Sequence, residues 1–210
     1  VCCMLLQRNE KAMKRIFYTQ RVETVSSYRE RRDCTDQRLP AFLSACGFLP
    51  VPVPNIPDLA KKLCTELFPE GVFLTGGNSL GKYGGDAPER DETERVLLEW
   101  AIEKKVPVFG VCRGLQFVAD FFGSQLEMIG GHVRTRHPVF GEVARDSVNS
   151  YHEFCLMATK VPLLVEGKAP DGSTEAVRHE SLPIAAIGWH PERETPFCED
   201  DITMVREWFG

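Results

Sequence analysis

The sequence lacks a surplus of basic residues, a long apolar segment and the cysteine spacing of a metal site. Its 25 lysines and arginines are outnumbered by 30 aspartates and glutamates, giving a formal net charge of -5. Nucleic acids and anionic membranes are usually bound by basic surfaces, so neither is expected as a partner. No apolar run reaches the roughly 18 residues that a membrane span requires. The expected partner is therefore a small molecule.

The eight cysteines form no C-x-x-C pair, and neither a metal nor a cofactor is predicted. A chain of 210 residues, 43% of them hydrophobic, can bury a sizeable core without disulfides, so we expect reduced thiols and a cytoplasmic protein. The start, Val1–Leu6, is too short for the core of a signal peptide. One catalytic domain is expected over residues 14–210, with residues 1–13 either part of it or an extension outside the fold.

Short β-branched and aromatic segments alternate with amphipathic ones, which is typical of βαβ units. The predicted strands of this part are Ile16–Gln20, Leu49–Val53, Gly71–Leu74 and Val106–Val111. The predicted helices are Asp33–Cys46 (with Gly47 as its C-cap), Asp58–Leu67, Asp91–Lys104 and Gly114–Phe122. Later elements are shorter strands at Gly141–Val143, Leu164–Ala169, Glu175–Arg178 and Ile184–Gly188, and a helix at Asp200–Phe209. The pattern predicts an α/β fold with an open, mostly parallel sheet flanked by helices and a short antiparallel extension.

A buried strand runs directly into Cys112 and then into a helix, within the motif G-x-C-x-G. Gly110 and Gly114 let strand and helix pass closely at a strained turn. The thiol then lies at a helix N-terminus, where unpaired N–H groups and the helix dipole lower its pKa and stabilise an oxyanion. The alternative is a core cysteine between two loop glycines, but the flanking strand and helix favour a nucleophile.

A partner for this thiol is found where an apolar strand ends in Trp189-His190-Pro191-Glu192. Proline ends the strand and fixes the backbone, so His190 can face the thiolate while Glu192 holds the imidazole tautomer. A lone histidine is more often a surface or satisfied core residue, and this is the interpretation favoured for His132, His137 and His179.

These two segments together resemble the paired motifs of the class I glutamine amidotransferase superfamily, which has a flavodoxin-like fold. The residues on which this resemblance rests are Gly110-Val111-Cys112-Arg113-Gly114-Leu115-Gln116 and Gly188-Trp189-His190-Pro191-Glu192. The likeness is nearer to the γ-glutamyl-γ-aminobutyrate hydrolase (peptidase C26-like) branch and runs from about Arg15 to the end of the chain. It implies that Cys112 attacks a γ-glutamyl carbonyl and forms a thioester, that His190 acts as base and then acid, and that Glu192 orients it.

The resemblance also implies which groups hold the substrate. Leu74–Asn78 resembles the family's glycine loop, so the backbone N–H of Gly77, or Gly76 as the alternative, joins that of Arg113 in an oxyanion hole. Gln116 matches a substrate-contacting glutamine. The segment Val148–His152 matches a loop holding the glutamyl α-amino and carboxylate groups, through Asn149, Ser150, Tyr151 and His152. From the residues alone, an ordinary loop after a strand and a polar turn remain alternatives.

Two basic clusters have a less definite meaning. Tyr28–Asp33 follows the first strand and recurs in the part of the family that resembles γ-glutamyl-CDP-amidate hydrolases; Gly131–His137 contains Arg134 and Arg136. Arginine suits bidentate binding of phosphate. The clusters are either solvated surface or contacts to a phosphate-bearing leaving group such as a CDP-amidate.

Three functions fit this pattern. The first is a stand-alone hydrolase of a small γ-glutamyl amide. The second is a glutaminase subunit that delivers ammonia to a synthase partner, and the third is a catalytically silent binding module on the same fold. The complete triad argues against the third, and turnover by the purified chain alone would favour the first. A synthase partner or a homodimer is compatible with the sequence.

Overall fold

A computed structural model describes residues 12–210, so the predicted extension over residues 1–13 lies mostly outside the described residues. The strands are β1 (Arg15–Tyr18), β2 (Arg21–Val25), β3 (Glu30–Cys34), β4 (Leu49–Pro52), β5 (Gly71–Leu74), β6 (Val108–Val111), β7 (Glu127–Met128), β8 (Val133–Gly141), β9 (Arg145–Tyr151), β10 (Phe154–Cys155), β11 (Leu163–Lys168), β12 (Thr174–His179) and β13 (Ile184–Ile187). The α-helices are α1 (Arg38–Ala45), α2 (Pro57–Leu67), α3 (Pro88–Lys104), α4 (Arg113–Phe121) and α5 (Glu199–Phe209), and short 3-10 helices lie at Gly81–Tyr83 and Pro191–Arg193. None of these helices has the length and apolar composition needed to cross a membrane.

Nine strands form one central sheet in the order β4-β1-β5-β6-β13-β12-β11-β8-β9. The five strands from β4 to β13 in this order are mutually parallel, and those from β12 to β9 continue it in antiparallel pairs. The predicted fold class, a mostly parallel sheet with an antiparallel extension and flanking helices, is confirmed.

Alternate side chains of the buried parallel strands contribute to two hydrophobic clusters, one on each face of the sheet. Helices α2, α3 and α4 cover one face, where Val72 and Val108 are buried. Helices α1 and α5 cover the other, where Phe73 and Phe109 stack with ring centroids 5.8 Å apart. Strands covered on both faces read as near-continuous apolar runs, which is why the sequence predicts them well.

The predicted helix Asp33–Cys46 begins later than expected, at Arg38. The charged residues before it form a hairpin, in which β2 pairs antiparallel with β3. Arg29 lies in its turn with a φ of 54°. The charges are solvated, as the sequence suggests, but on an extended backbone whose residues Glu30–Asp33 are all exposed. The end of the helix is as predicted, because Gly47 follows it with a φ of 91°.

The predicted strand Gly141–Val143 is wrong, because this segment contains the turn of a longer hairpin. Strands β8 and β9 pair on either side of it, and Gly141 has a φ of 134°. Polar residues interrupt β8 and dominate β9, so neither has the apolar run that marks a buried strand. The hairpin brings the second basic cluster and the segment Val148–Tyr151 side by side.

Candidate active site

The carboxyl ends of three neighbouring parallel strands bring the predicted catalytic segments together. In the sheet register, Leu74 of β5 is paired with Gly110 of β6, and Val111 of β6 is paired with Ile187 of β13. The glycine loop, Cys112 and His190 follow these residues along the chain, so all three arrive at the same edge. This is the edge at which open α/β sheets bind their ligands.

Cys112 lies on a strained turn between β6 and α4. Its φ of 52° and ψ of -103° are in a region that residues with a side chain rarely adopt. A Cβ atom at position 114 would lie 2.3 Å from the carbonyl oxygen of Leu74, and one at position 110 would lie 2.8 Å from the backbone of Gly114. Both glycines are therefore required by the close passage of strand and helix, and the turn aims Cys112 at the helix N-terminus.

Cys112, His190 and Glu192 are all buried, and His190 neighbours both of the others. The Nδ1 atom of His190 lies 2.6 Å from Oε1 of Glu192. Burial raises the pKa of the Cys112 thiol, but the neighbouring His190 outweighs this effect and holds the pKa below its ordinary value. Burial alone would lower the pKa of His190, but Cys112 and Glu192 raise it to about 10. Both shifts favour a thiolate paired with an imidazolium near neutral pH.

A buried arginine fixes the glycine loop that follows β5. The guanidinium of Arg90 donates hydrogen bonds to the carbonyl oxygens of Thr75 (2.7 Å), Gly76 (3.0 Å) and Gly77. The N–H and C=O of a trans peptide point in opposite directions. Because the carbonyl of Gly76 faces Arg90, the N–H of Gly77 faces away from Arg90. Gly77 also lines the cleft that contains Cys112.

Glu94 carries the charge that holds Arg90 in place. It accepts a hydrogen bond from Nε of Arg90 (2.9 Å) and another from the side chain of Arg113, and all three side chains are almost completely buried. Although burial raises the pKa of Glu94, Arg113 and Arg90 hold it below its ordinary value. The side chain of Arg113 is thus turned into the protein, while its backbone begins α4 next to Cys112.

Several predicted substrate residues line the cleft that contains Cys112, which has a volume of about 200 Å³. They are Gly77, Arg113, Gln116, Tyr151 and His152. The side-chain amide of Gln116 donates to the carbonyl of Phe154 (2.9 Å), which leaves its oxygen available. The ring of Tyr151 contacts that of His190 edge to face. Gly76 lies on the other side of His190, where a Cβ atom would be 2.4 Å from Cε1 of the ring.

Asn149 and Ser150 point into the protein instead. The side chain of Asn149 bonds to both backbone groups of His190, and the hydroxyl of Ser150 donates to the carbonyl of His132 (2.8 Å). The segment containing them is the end of β9 rather than a loop. Their contacts in this structure position other residues.

The predicted phosphate contacts Arg134 and Arg136 lie on β8 and do not line the cleft. Arg134 is exposed, and Arg136 bonds to Ser147 and, at 2.8 Å, to Glu194. A different arginine contacts a residue of the cleft: Arg193 stacks over Tyr151, 4.2 Å from the ring centroid. It follows Glu192 directly, and its position was not predicted.

Two further groups were missed by sequence reasoning. Arg90 and Glu94 are four residues apart on α3 and form a buried ion pair. Opposite charges at this spacing lie on the same face of a helix, which is a sequence signal that could have identified them. Glu175 lies close to His132 and His137, although it is far from these two histidines along the chain. Only the fold brings this second group together.

Comparison with known proteins agrees with the fold and the motifs. The model of the glutamine amidotransferase class-I family matches residues 44–200. A gamma-glutamyl-CDP-amidate hydrolase from Campylobacter jejuni subsp. jejuni serotype O:2 is 31% identical over 199 residues, covering 91% of this chain and 96% of the relative. The gamma-glutamyl-gamma-aminobutyrate hydrolase of Escherichia coli K12 is 28% identical over 199 residues, covering 75% of this chain and 77% of the relative.

A solved structure shares the fold at lower identity. The crystal structure of a proposed GMP synthase subunit from Thermoplasma acidophilum superposes with a TM-score of 0.71 and 17% identity, covering 95% of this chain and 94% of that one. At this identity the likeness concerns the fold alone. The family match spans well over half of the chain, and a relative of 31% identity covers nearly all of it. This chain therefore belongs to the class I glutamine amidotransferase family.

Proposed function

We propose that this chain is a hydrolase that cleaves the γ-glutamyl amide bond of a small molecule, with Cys112, His190 and Glu192 as its catalytic triad. The observation that carries the proposal is the position of Cys112, on a strained turn and paired with an imidazole that a buried carboxylate holds. The names of the Campylobacter and Escherichia relatives support the same substrate class.

The first half of the proposed reaction forms an acyl-enzyme. The thiolate of Cys112 attacks the γ-carbonyl carbon, a C–S bond forms, and the carbonyl electrons move to the oxygen. The backbone N–H groups of Gly77 and Arg113 stabilise this oxyanion. When it collapses, the C–N bond breaks and His190 gives its proton to the departing nitrogen. The products are a γ-glutamyl thioester on Cys112 and a free amine or amidate.

The second half regenerates the enzyme. Neutral His190 takes a proton from water, the resulting hydroxide attacks the thioester carbonyl, and the same two N–H groups hold the oxyanion. The C–S bond then breaks and releases glutamate, leaving the thiolate beside the imidazolium. Glu192 keeps Nδ1 of His190 protonated throughout, so that the other ring nitrogen serves the reaction. No step requires a cofactor.

A panel of γ-glutamyl amides tests this proposal directly. The purified chain should hydrolyse at least one of them without any added protein, and Cys112→Ala and His190→Ala should each abolish turnover. The alternative is a glutaminase subunit that delivers ammonia to a synthase. That alternative would be supported if the chain alone released ammonia from glutamine slowly and accepted no larger amide. The free cysteines among the described residues, six in number, suit a reducing compartment, and we propose a cytoplasmic location.

For the leaving group, we propose a phosphate-bearing amidate, in line with the name of the Campylobacter relative. Arg193 stacks on Tyr151 beside the cleft, and it joins Arg134 and Arg136 as a proposed phosphate contact. A charge-assisted contact to phosphate contributes about 1.5 to 3 kcal/mol, or roughly ten- to a hundredfold in specificity. The enzyme should therefore prefer a γ-glutamyl nucleotide phosphoramidate over γ-glutamyl-γ-aminobutyrate or glutamine.

Alanine variants separate the three arginines. Arg193→Ala, and Arg134→Ala combined with Arg136→Ala, should raise KM for the phosphorylated substrate far more than KM for glutamine. Arg178→Ala is the matched control, because Arg178 is an exposed arginine that pairs with Glu166. Equal effects on both substrates would exclude the phosphate contacts and leave the cysteine chemistry intact.

A further inference from the structure

A cluster of two histidines and a glutamate lies in the antiparallel half of the sheet and takes no part in the proposed reaction. His132 precedes β8, His137 is on β8, and Glu175 is on β12. Nδ1 of His132 lies 3.6 Å from Oε1 of Glu175, and Nε2 of His137 lies 3.7 Å from the same oxygen. These three atoms all lie within 4.8 Å of one another.

The hydrogen bonds of the two imidazoles indicate which ring nitrogens carry protons. Nε2 of His132 lies 2.9 Å from Oδ2 of Asp171, and Nδ1 of His137 lies 3.1 Å from the carbonyl of Pro138. Both oxygens only accept hydrogen bonds, so these nitrogens carry the protons. Nε2 of His137 then presents a lone pair toward Glu175. Nδ1 of His132 also lies 3.2 Å from the hydroxyl oxygen of Ser150, and binding a metal would replace that contact. Outer carboxylate and carbonyl partners orient metal-binding histidines in this way.

Glu175 supplies a buried carboxylate with no donor to satisfy it. Its side chain is about 1% exposed, and neither oxygen has a hydrogen-bond partner among the described residues. Nε2 of His137 is likewise buried without a partner. The salt bridges of the described chain give Glu175 no lysine or arginine. A buried carboxylate needs a compensating positive charge, which either a protonated imidazole beside it or a bound metal cation can supply.

We propose that His132, His137 and Glu175 bind a divalent transition-metal ion of the zinc class. Two histidines with one glutamate are a known zinc ligand set, and two ligands of a tetrahedral zinc ion lie about 3.4 Å apart. The two separations that involve Glu175, 3.6 and 3.7 Å, are within a few tenths of an ångström of this value. The ligand atoms of the two histidines lie within 4.8 Å of each other and would close around a bound ion. Two imidazoles favour such a metal over calcium or magnesium, which prefer oxygen ligands.

Two neighbouring residues fit the same site. His152 borders it on the side of Cys112, with Nε2 3.3 Å from Oε1 of Glu175, in an orientation that does not make a hydrogen bond. Gly188 leaves room for the carboxylate, because a Cβ atom there would lie 2.1 Å from Oε2 of Glu175. A bound ion would join β8 to β12 next to the cleft, as a structural crosslink separate from the proposed hydrolysis.

Zinc binding is best measured on the full chain carrying Cys112→Ala, so that the nucleophilic thiol cannot hold the metal. Chelator-treated protein is dialysed against zinc chloride, and bound zinc is counted by elemental mass spectrometry. About one zinc ion per chain is expected. His137→Gln and Glu175→Gln should each weaken binding at least a hundredfold, and Asp171→Asn ten- to a hundredfold. His179→Gln is the matched control, because His179 is a buried histidine outside the cluster, and it should not change binding.

Several results would overturn the site. They are the absence of bound zinc in the Cys112→Ala chain, full binding by both His137→Gln and Glu175→Gln, and loss of zinc only when Cys112 or His190 is replaced. If a variant fails to fold, anomalous diffraction at the zinc absorption edge on the Cys112→Ala crystal locates the ion without it. Zinc found away from His132, His137 and Glu175 would show that a proton holds the cluster. Because Cys112→Ala is inactive in the proposed reaction, none of these results depends on the hydrolase proposal.

Discussion

The side chain of Asn149 binds the backbone of His190 at both of its polar groups. Nδ2 of Asn149 donates to the carbonyl oxygen of His190 (2.8 Å), and the N–H of His190 donates to Oδ1 of Asn149 (3.1 Å). This pair ties the end of β9 to the segment that carries His190 and Glu192, so a positioning role for Asn149 stands beside the substrate contact that the sequence suggests. Nδ2 also reaches Glu194, so the amide has little capacity left for a ligand.

Replacing Asn149 with alanine should lower kcat by roughly tenfold to a hundredfold, because a small displacement of His190 misaligns proton transfer. KM should change little. Steady-state kinetics separates the two roles, since loss of a direct substrate contact would raise KM. Asp146→Ala, at an exposed position of the same strand, is the matched control and should behave like the parent.

Arg90 should act on the oxyanion through the glycine loop. Arg90→Lys keeps the positive charge but cannot bond to three carbonyl groups at once, so the N–H of Gly77 loses its fixed direction. We expect kcat to fall by on the order of a hundredfold, the loss typical of one oxyanion-hole donor. Arg95→Lys, on the exposed side of the same helix, should have no effect. The account of the loop would be wrong if both variants kept full activity.

Gly76 is predicted to tolerate no side chain. A Cβ atom there would lie 2.4 Å from Cε1 of His190, so Gly76→Ala should displace the ring and remove most of the activity while the chain still folds. Circular dichroism and kinetics measure the two effects. Gly130→Ala offers a control, because nothing lies within 4 Å of a Cβ atom at that position. Normal activity in Gly76→Ala would mean that His190 is not held where the structure has it.

The reactivity of Cys112 should persist to a lower pH than that of an ordinary thiol. Its pKa is held below the ordinary 9.0, while that of His190 is raised to about 10, so the thiolate and imidazolium coexist between the two values. Alkylation by iodoacetamide should therefore begin to slow at a lower pH than it does for an ordinary thiol, whose rate falls about tenfold per pH unit below its pKa. Turnover should fall as pH rises past about 10, since His190 then lacks the proton that the leaving nitrogen needs.

A variant of His190 supplies the control for this experiment. In His190→Gln the cation that lowers the pKa is gone and burial remains, so Cys112 should react more slowly and only at higher pH. If both proteins gave the same pH profile, the ion pair proposed for Cys112 and His190 would not exist.

The sequence predicts the parallel half of the fold well, because its strands are covered on both faces and their apolar character is local. It also identifies the elbow, since a strained turn between strand and helix demands glycines at fixed positions around Cys112. The two missed hairpins are exposed and rich in charge, so their strands resemble solvated loops or helix starts. Their pairing depends on partners elsewhere in the chain.

The surroundings of the candidate site were harder to predict for the same reason. Arg90 reaches the glycine loop across the space between α3 and β5, and no sequence spacing records that contact. Asn149 and His190 were both singled out, but their contact with each other was not predicted. His137 and Glu175 look unremarkable in the sequence, and they become a candidate site only when β8 and β12 enter one sheet. These are contacts between distant segments, which local patterns do not encode.

The central claim is that a γ-glutamyl group is carried on Cys112. In the most direct measurement, the enzyme is mixed with a γ-glutamyl amide that it hydrolyses, and the reaction is quenched in acid within the first turnover. The protein is then digested and analysed by mass spectrometry. The account predicts a γ-glutamyl adduct on the peptide that contains Cys112, absent from Cys112→Ala and released by hydroxylamine. Turnover with no adduct on that peptide, or an adduct on another cysteine, would contradict it.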